Sequence, residues 1–237
     1  MFFKRSFTII EALVILALML MIISLLSPSL QKATRYAREV KCTQGIRDLL
    51  VVSHQYAEDH DSAFPDIQRN PKDGGVVGNA FFAYRYWANL LEKDYGLNVE
   101  TWYSPSNSNW SHEMFYQYNN GAHTVMGRSY FGAQSMQKTF EYRVLKKFKG
   151  SPSFASRNFE NPSQKVLWTD LNRKLVGTDL FVNQIPGGVK NGANHLYRLS
   201  ENWPELSHNG RLDGSVETAH AGEIEARFKN LGSVLHW

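Results

Sequence analysis

An apolar run close to the N-terminus constrains this chain more than any other feature. From Phe7 to Leu26 only Thr8, Glu11 and Ser24 interrupt it. A helix rises about 1.5 Å per residue, so a stretch of about 20 such residues crosses the hydrocarbon core of a bilayer. Two readings compete: a secretory signal removed from the mature protein, and a membrane helix that stays. Retention is favoured because the short basic segment Met1–Ser6, with Lys4 and Arg5, directly abuts the run. Leu26-Ser27-Pro28-Ser29 is a poor match to a small-x-small cleavage site, and a charged helical pattern follows rather than a loop. By the positive-inside rule, Lys4 and Arg5 stay in the cytoplasm and the rest is exported.

Glu11 stands out in this setting. A carboxylate within a membrane helix costs roughly 2.5–3.5 kcal/mol on insertion scales, so it needs a partner or headgroup water. The residues around it run Lys4-Arg5-Ser6-Phe7-Thr8-Ile9-Ile10-Glu11-Ala12-Leu13-Val14. This order resembles the prepilin N-terminal motif of type IV pilins and type II secretion pseudopilins: a basic leader, a small residue, Phe, Thr, two aliphatics, Glu and an apolar helix. The resemblance implies cleavage by a prepilin peptidase between Ser6 and Phe7 and N-methylation of Phe7. It also gives Glu11 a role, neutralising the new α-amine of a neighbouring subunit inside the membrane. The chain departs from the family at Ser6, where Gly is nearly always found.

Pro28 removes a helical hydrogen bond and clashes with the preceding turn, so a kink is expected there, at the place where pilin spine helices often carry a proline. Beyond it Leu30, Ala33, Ala37, Val40, Ile46, Leu49, Leu50, Ser53 and Ala57 recur at mostly helical spacing, with Lys32, Arg35, Arg38, Glu39, Arg47 and Asp48 on other faces. Gly45 is a weak point in this amphipathic helix, costing about 1 kcal/mol relative to Ala. Cys42 is expected as a small buried hydrophobe where the helix meets a head domain. Asp59 and Asp61 are expected to terminate the helix; two acids are too few for a calcium site. The stretch from Cys42 to Phe64-Pro65 is also similar to pilin-like proteins of planctomycete- and lentisphaera-type bacteria, with Gly45 in place of a common Asn.

The remaining sequence reads as a mixed head. Asp66–Gly78 is polar and reads as loop. Phe82, Tyr86, Trp87, Leu90 and Leu91 suggest a buried helix from Ala80 to Tyr95, and Trp102–Gly121 is turn-rich. Ser129–Gly132 looks like a strand, and Lys165–Asp170 a central one. His208–Glu217 reads as a pair of short strands with the tight-turn dipeptide Asp213-Gly214. The fold class expected is α+β: a long N-terminal transmembrane spine helix packed on a globular head with a small antiparallel sheet, as in pilins. The boundaries are 1–6 for the leader, 7–29 for the membrane half of the spine, 30–63 for its amphipathic half and 64–237 for the extracytoplasmic head.

Chemistry is scarce by comparison. The single cysteine excludes an intrachain disulfide and a cysteine-rich zinc site. Net charge is +4 with acids and bases interspersed, which gives no footprint for nucleic acid. No zincin, nucleophile-elbow, phosphate-loop or dinucleotide motif is present. His195, His208 and His220, with Asp213, are the residues that would converge on a metal, but their spacings match no zinc signature. Arg143, Lys146, Lys147 and Lys149 read as a solvated face. The expectation is therefore a chain with no cofactor, no metal and no catalytic residue. Its partners would be a prepilin peptidase, other pilin-like subunits and the inner membrane. The alternative is a bitopic surface protein whose head binds a ligand, the helix serving only as an anchor. A C-terminal reporter that fluoresces only in the cytoplasm should be dark when fused to this chain; a bright fusion would reverse the orientation.

Overall fold

The computed structural model describes residues 8–76, 79–107, 110–112, 122–132, 143–144, 166–175, 181–185, 188–191, 193–196, 203–224, 226–230 and 233–236. Two compact units result, Met1–Val40 and Lys41–Trp237. Among the described residues one helix, α1 (Ile9–Asp59), is long and apolar enough to cross a membrane.

The first unit consists of the leading part of α1. Every described residue from Thr8 to Arg38 is exposed, including Leu13, Leu16, Leu20 and Ile23. A helix that is apolar all round and exposed all round has no stable place in water, which is the composition of a membrane span. Its start is built locally. The Thr8 hydroxyl accepts from the Glu11 backbone N–H at 3.3 Å, and Glu11 Oε2 accepts from the Thr8 backbone N–H at 2.8 Å and its hydroxyl at 2.9 Å. This is a capping box, in which two otherwise orphaned helix-start donors satisfy each other's residues. Pro28 lies inside α1, which continues through it.

The second unit is antiparallel throughout its described strands. Its principal sheet has four strands in the order β10 (Val216–His220), β9 (Leu206–Arg211), β5 (Val166–Asp170) and β3 (Arg128–Tyr130). A second four-stranded sheet orders β4 (Arg143–Val144), β11 (Ala226–Asn230), β12 (Ser233–His236) and β6 (Arg173–Leu175). Two ribbons complete it: β1 (Phe82–Tyr84) with β2 (His123–Val125), and β7 (Val182–Ile185) with β8 (Gly188–Asn191). The central strand at Val166–Asp170 and the hairpin joining β9 to β10 fall where expected. Gly214 in the hairpin turn has φ 87°, the left-handed conformation that Gly adopts without penalty.

The helix expected from Ala80 to Tyr95 is present as α2 (Arg85–Lys93), which carries Tyr86, Trp87, Leu90 and Leu91, but its first residues form β1 instead. Phe82, Ala83 and Tyr84 pair with Val125, Thr124 and His123, and Tyr84 is the extended residue that precedes the helix. Aromatic residues suit a pleated, half-buried ribbon, and here tertiary pairing overrides the helical spacing.

Residues of α1 from Cys42 onward supply the core with Ile46, Leu49, Leu50, Val52, Tyr56 and Ala57, while Leu30 and Val40 of the same apolar stripe remain exposed. The helix reaches β9 through a gap where a side chain is missing. A Cβ at Gly210 would stand 2.6 Å from Ile46 Cγ2 and 3.0 Å from Leu50 Cδ1. Trp168 of β5 donates its indole N–H to Ser53 Oγ at 2.9 Å, and Ser53 in turn donates to the Leu49 carbonyl at 2.7 Å. Tyr130 packs on Trp168 with ring centroids 4.4 Å apart, and its hydroxyl donates to the Pro65 carbonyl at 2.8 Å. The helix closes after Asp59 with Asp61 and Ser62 at positive φ, and Ser62 N–H returns to the Ala57 carbonyl at 2.8 Å. Overpacking a tight contact costs about 1–3 kcal/mol. Gly210→Ala should therefore lower the melting temperature of the detergent-solubilised chain, and an unchanged value would mean that α1 does not press on β9.

Candidate functional site

Period-two alternation puts Trp168 and Asp170 on one face of β5, with Tyr130 and Arg128 opposite them on β3. Arg128 is the direct cross-strand partner of Asp170. His208 of β9 lies beside the same carboxylate. The result is a wholly buried polar cluster of Arg128, Asp170, Asn194, His195 and His208.

Asp170 is its hub. Oδ1 accepts from Arg128 Nη1 at 3.2 Å and from Asn194 Nδ2 at 3.0 Å. Oδ2 accepts from the His208 backbone N–H at 2.9 Å and from its ring Nδ1 at 2.8 Å. His195 Nε2 stands 3.3 Å from the same oxygen, a charge contact at the limit of hydrogen bonding. An ionised carboxylate only accepts, so the His208 proton facing it is on Nδ1. Burial works against the charge of Asp170, but the bonds from His195 and His208 outweigh it and hold the carboxyl well below its usual range.

The remaining groups lock the hub into its surroundings. Arg128 Nε donates to the Thr101 carbonyl at 3.0 Å and Nη2 to the Cys42 carbonyl on α1 at 3.3 Å. Gly45 makes this reach feasible, since a Cβ there would lie 2.6 Å from Arg128 Nη2. The supposed weak point of the helix is thus the clearance for a guanidinium. Asn194 also donates to the Gly127 carbonyl at 2.8 Å. His195 sits at φ 55°, a conformation uncommon outside Gly, and its N–H donates to Ser106 Oγ at 3.1 Å. Ser106 bonds Ser104 at 2.7 Å, and Ser104 bonds the Cys42 sulfur at 3.0 Å. Cys42 is buried as expected, but it belongs to this polar ring rather than to an apolar contact. Burial disfavours a charged His195; Asp170 and the Cys42 sulfur favour it and push its pKa up to about 9. A cleft of about 510 Å³ adjoins the cluster, lined by Lys41, Gly45, Thr101, Ser104, Trp110 and Arg128 among others.

Of the residues singled out from sequence, Ser6 and Phe7 lie outside the described residues. Glu11 completes the capping box, and Pro28 lies within α1. His195 and His208 do converge, with ring centroids 4.9 Å apart, but on Asp170. His220 and Asp213 are exposed and outside the cluster; Asp213 accepts from the Ser215 N–H at 2.9 Å in the hairpin turn. Asp170 was legible only as the acid closing an apolar strand, and Arg128 and Asn194 carried no signal. No family model matches the chain, and no curated protein or solved structure matches it.

The shifts set a pH profile. His195 is raised from 6.5 to about 9 in the folded chain, so its contribution is complete below 6.5 and is lost as pH rises through 9. Asp170 is depressed, so its contribution is present above 3.8 and is lost in acid. In chelator-containing buffer the melting temperature should fall between pH 6.5 and 9, and the fall should shrink in His195→Gln. A flat profile in the unmodified chain would show that His195 is neutral in the folded state.

Proposed function

We propose that this chain is a structural, pilin-like or pseudopilin subunit, inserted in the inner membrane through the leading part of α1 and assembled into a filament of the type IV pilus or type II secretion kind. The observation that carries this reading is the N-terminal helix, 51 residues long, whose apolar leading part is exposed on every side and begins with Glu11 in its first turn. Such a surface calls for lipid or for copies of itself. The α+β second unit, with an antiparallel sheet against the C-terminal part of the helix, is consistent with it.

In this reading a prepilin peptidase cuts between Ser6 and Phe7, Phe7 is N-methylated, and Glu11 neutralises the α-amine of a neighbour. The cut leaves Thr8 in place, and with it both halves of the capping box. Glu11 Oε2 takes both Thr8 donors, so the carboxylate is oriented at the helix start before any neighbour arrives. Lys4 and Arg5 would hold the N-terminus in the cytoplasm until cleavage, with the second unit in the periplasm or outside the cell.

A second reading, a bitopic surface protein that binds a ligand and uses the helix only as an anchor, is favoured by the cleft beside Arg128 and Trp110. Two measurements on membranes separate the two. Mass spectrometry should find an N-terminal peptide starting at methylated Phe7. Glu11→Leu should insert at least as well as the parent, because a costly charge is gone, yet crosslink to neighbours about tenfold less, roughly 1.4 kcal/mol of lost pairing. A retained Met1–Ser6 together with unchanged crosslinking would sink the filament reading and leave the anchor.

A further inference from the structure

We propose that Asp170, His195 and His208 form a binding site for one divalent transition-metal ion, zinc by ligand chemistry, inside the second unit. Each residue offers one ligand atom, and these atoms lie within 4.8 Å of one another. All three side chains are fully buried. Bonds of about 2.0–2.2 Å in a tetrahedral site place ligand atoms ~3.3 Å apart. His195 Nε2 already stands 3.3 Å from Asp170 Oδ2, and His208 Nδ1, hydrogen-bonded to that oxygen at 2.8 Å, has to draw back as its proton leaves. Two imidazoles with one carboxylate select zinc-type ions over calcium and magnesium, which take oxygen.

The other carboxylate oxygen is arranged as a supporting shell would be. Oδ1 is held by Arg128 Nη1 and Asn194 Nδ2, which leaves Oδ2 as the single ligating atom. The guanidinium also opposes a second cation, so affinity rests on the two imidazoles and on the exclusion of water. Binding displaces protons from the rings, one to solvent from any imidazolium, and each neutral imidazole keeps one proton on its non-ligating nitrogen. The histidines come from a left-handed loop position and from β9, and the carboxylate from β5, so the three ligands sit on separate elements and no zinc signature marks them.

The test uses the full chain in detergent, stripped with EDTA, desalted, and titrated with Co²⁺ and then Zn²⁺. One Co²⁺ per chain should bind with a visible absorption band that Zn²⁺ abolishes, and Zn²⁺ should raise the melting temperature. His208→Ala and His195→Gln should each lose the band, whereas His220→Ala, changed at an exposed histidine, should keep it. Either of two results overturns the site: no band and no thermal shift in the unmodified chain, or equal uptake by His208→Ala and His195→Gln, which would place the ion on surface histidines. The titration of the unmodified chain decides the matter even if a variant fails to fold.

Discussion

A carboxylate that keeps its charge in a dry interior must have its lone pairs answered, and the second unit is organised around doing this for Asp170. Four hydrogen bonds and a charge contact from His195 reach its two oxygens, from β3, from the Asn194–His195 loop and from β9. Arg128 then carries the network onward, to the Thr101 carbonyl and to the Cys42 carbonyl of α1. Removing one partner of such a buried ion pair costs about 3–5 kcal/mol, because the other charge is left uncompensated. The same cluster ties the sheet to the helix by polar bonds close to where Ile46 and Leu50 tie it by packing on Gly210. Within the second unit, the Cys42–Asp59 part of α1 is therefore held on the sheet by two independent means, one directional and one not.

The parts of this fold that could be read from sequence are those specified by near neighbours. The apolar run defines α1, the aliphatic stretch that ends in Asp170 defines β5, and Asp213-Gly214 defines the hairpin. The helix expected across Ala80–Tyr95 begins only at Arg85 for the complementary reason. Its first residues are claimed by His123–Val125, about forty positions away. The site is less legible still. The partners of Asp170 lie 42, 24 and 38 residues from it, and nothing in local spacing announces them. Gly45 shows how a propensity argument can miss the point: its cost to the helix is real, but what the position requires is an absent side chain. The start of α1 is also specified locally. Thr8-Ile9-Ile10-Glu11 has the spacing of a capping box, and the structure forms it.

That capping box bears on how Glu11 should be understood. Inside or near hydrocarbon, the first N–H groups of a helix have no water to turn to, and each left unsatisfied costs several kcal/mol. A carboxylate three residues into the helix repays part of its own insertion penalty by accepting one of these donors from Thr8. Its presence is therefore intelligible in a single chain, without any neighbour. The proposed role in subunit pairing would come on top of this, drawing on the net charge that remains after the cap is made. The cap and the proposed pairing are chemically separable, since glutamine at this position would keep an acceptor for the cap while losing the charge, and leucine loses both. Glu11 and Asp170 thus represent two solutions to one problem. The first satisfies its carboxylate within a single turn and keeps a charge available at the surface. The second is answered by groups from distant parts of the chain, and so converts the cost of a buried charge into a fixed arrangement of the sheet and the Cys42–Asp59 part of α1.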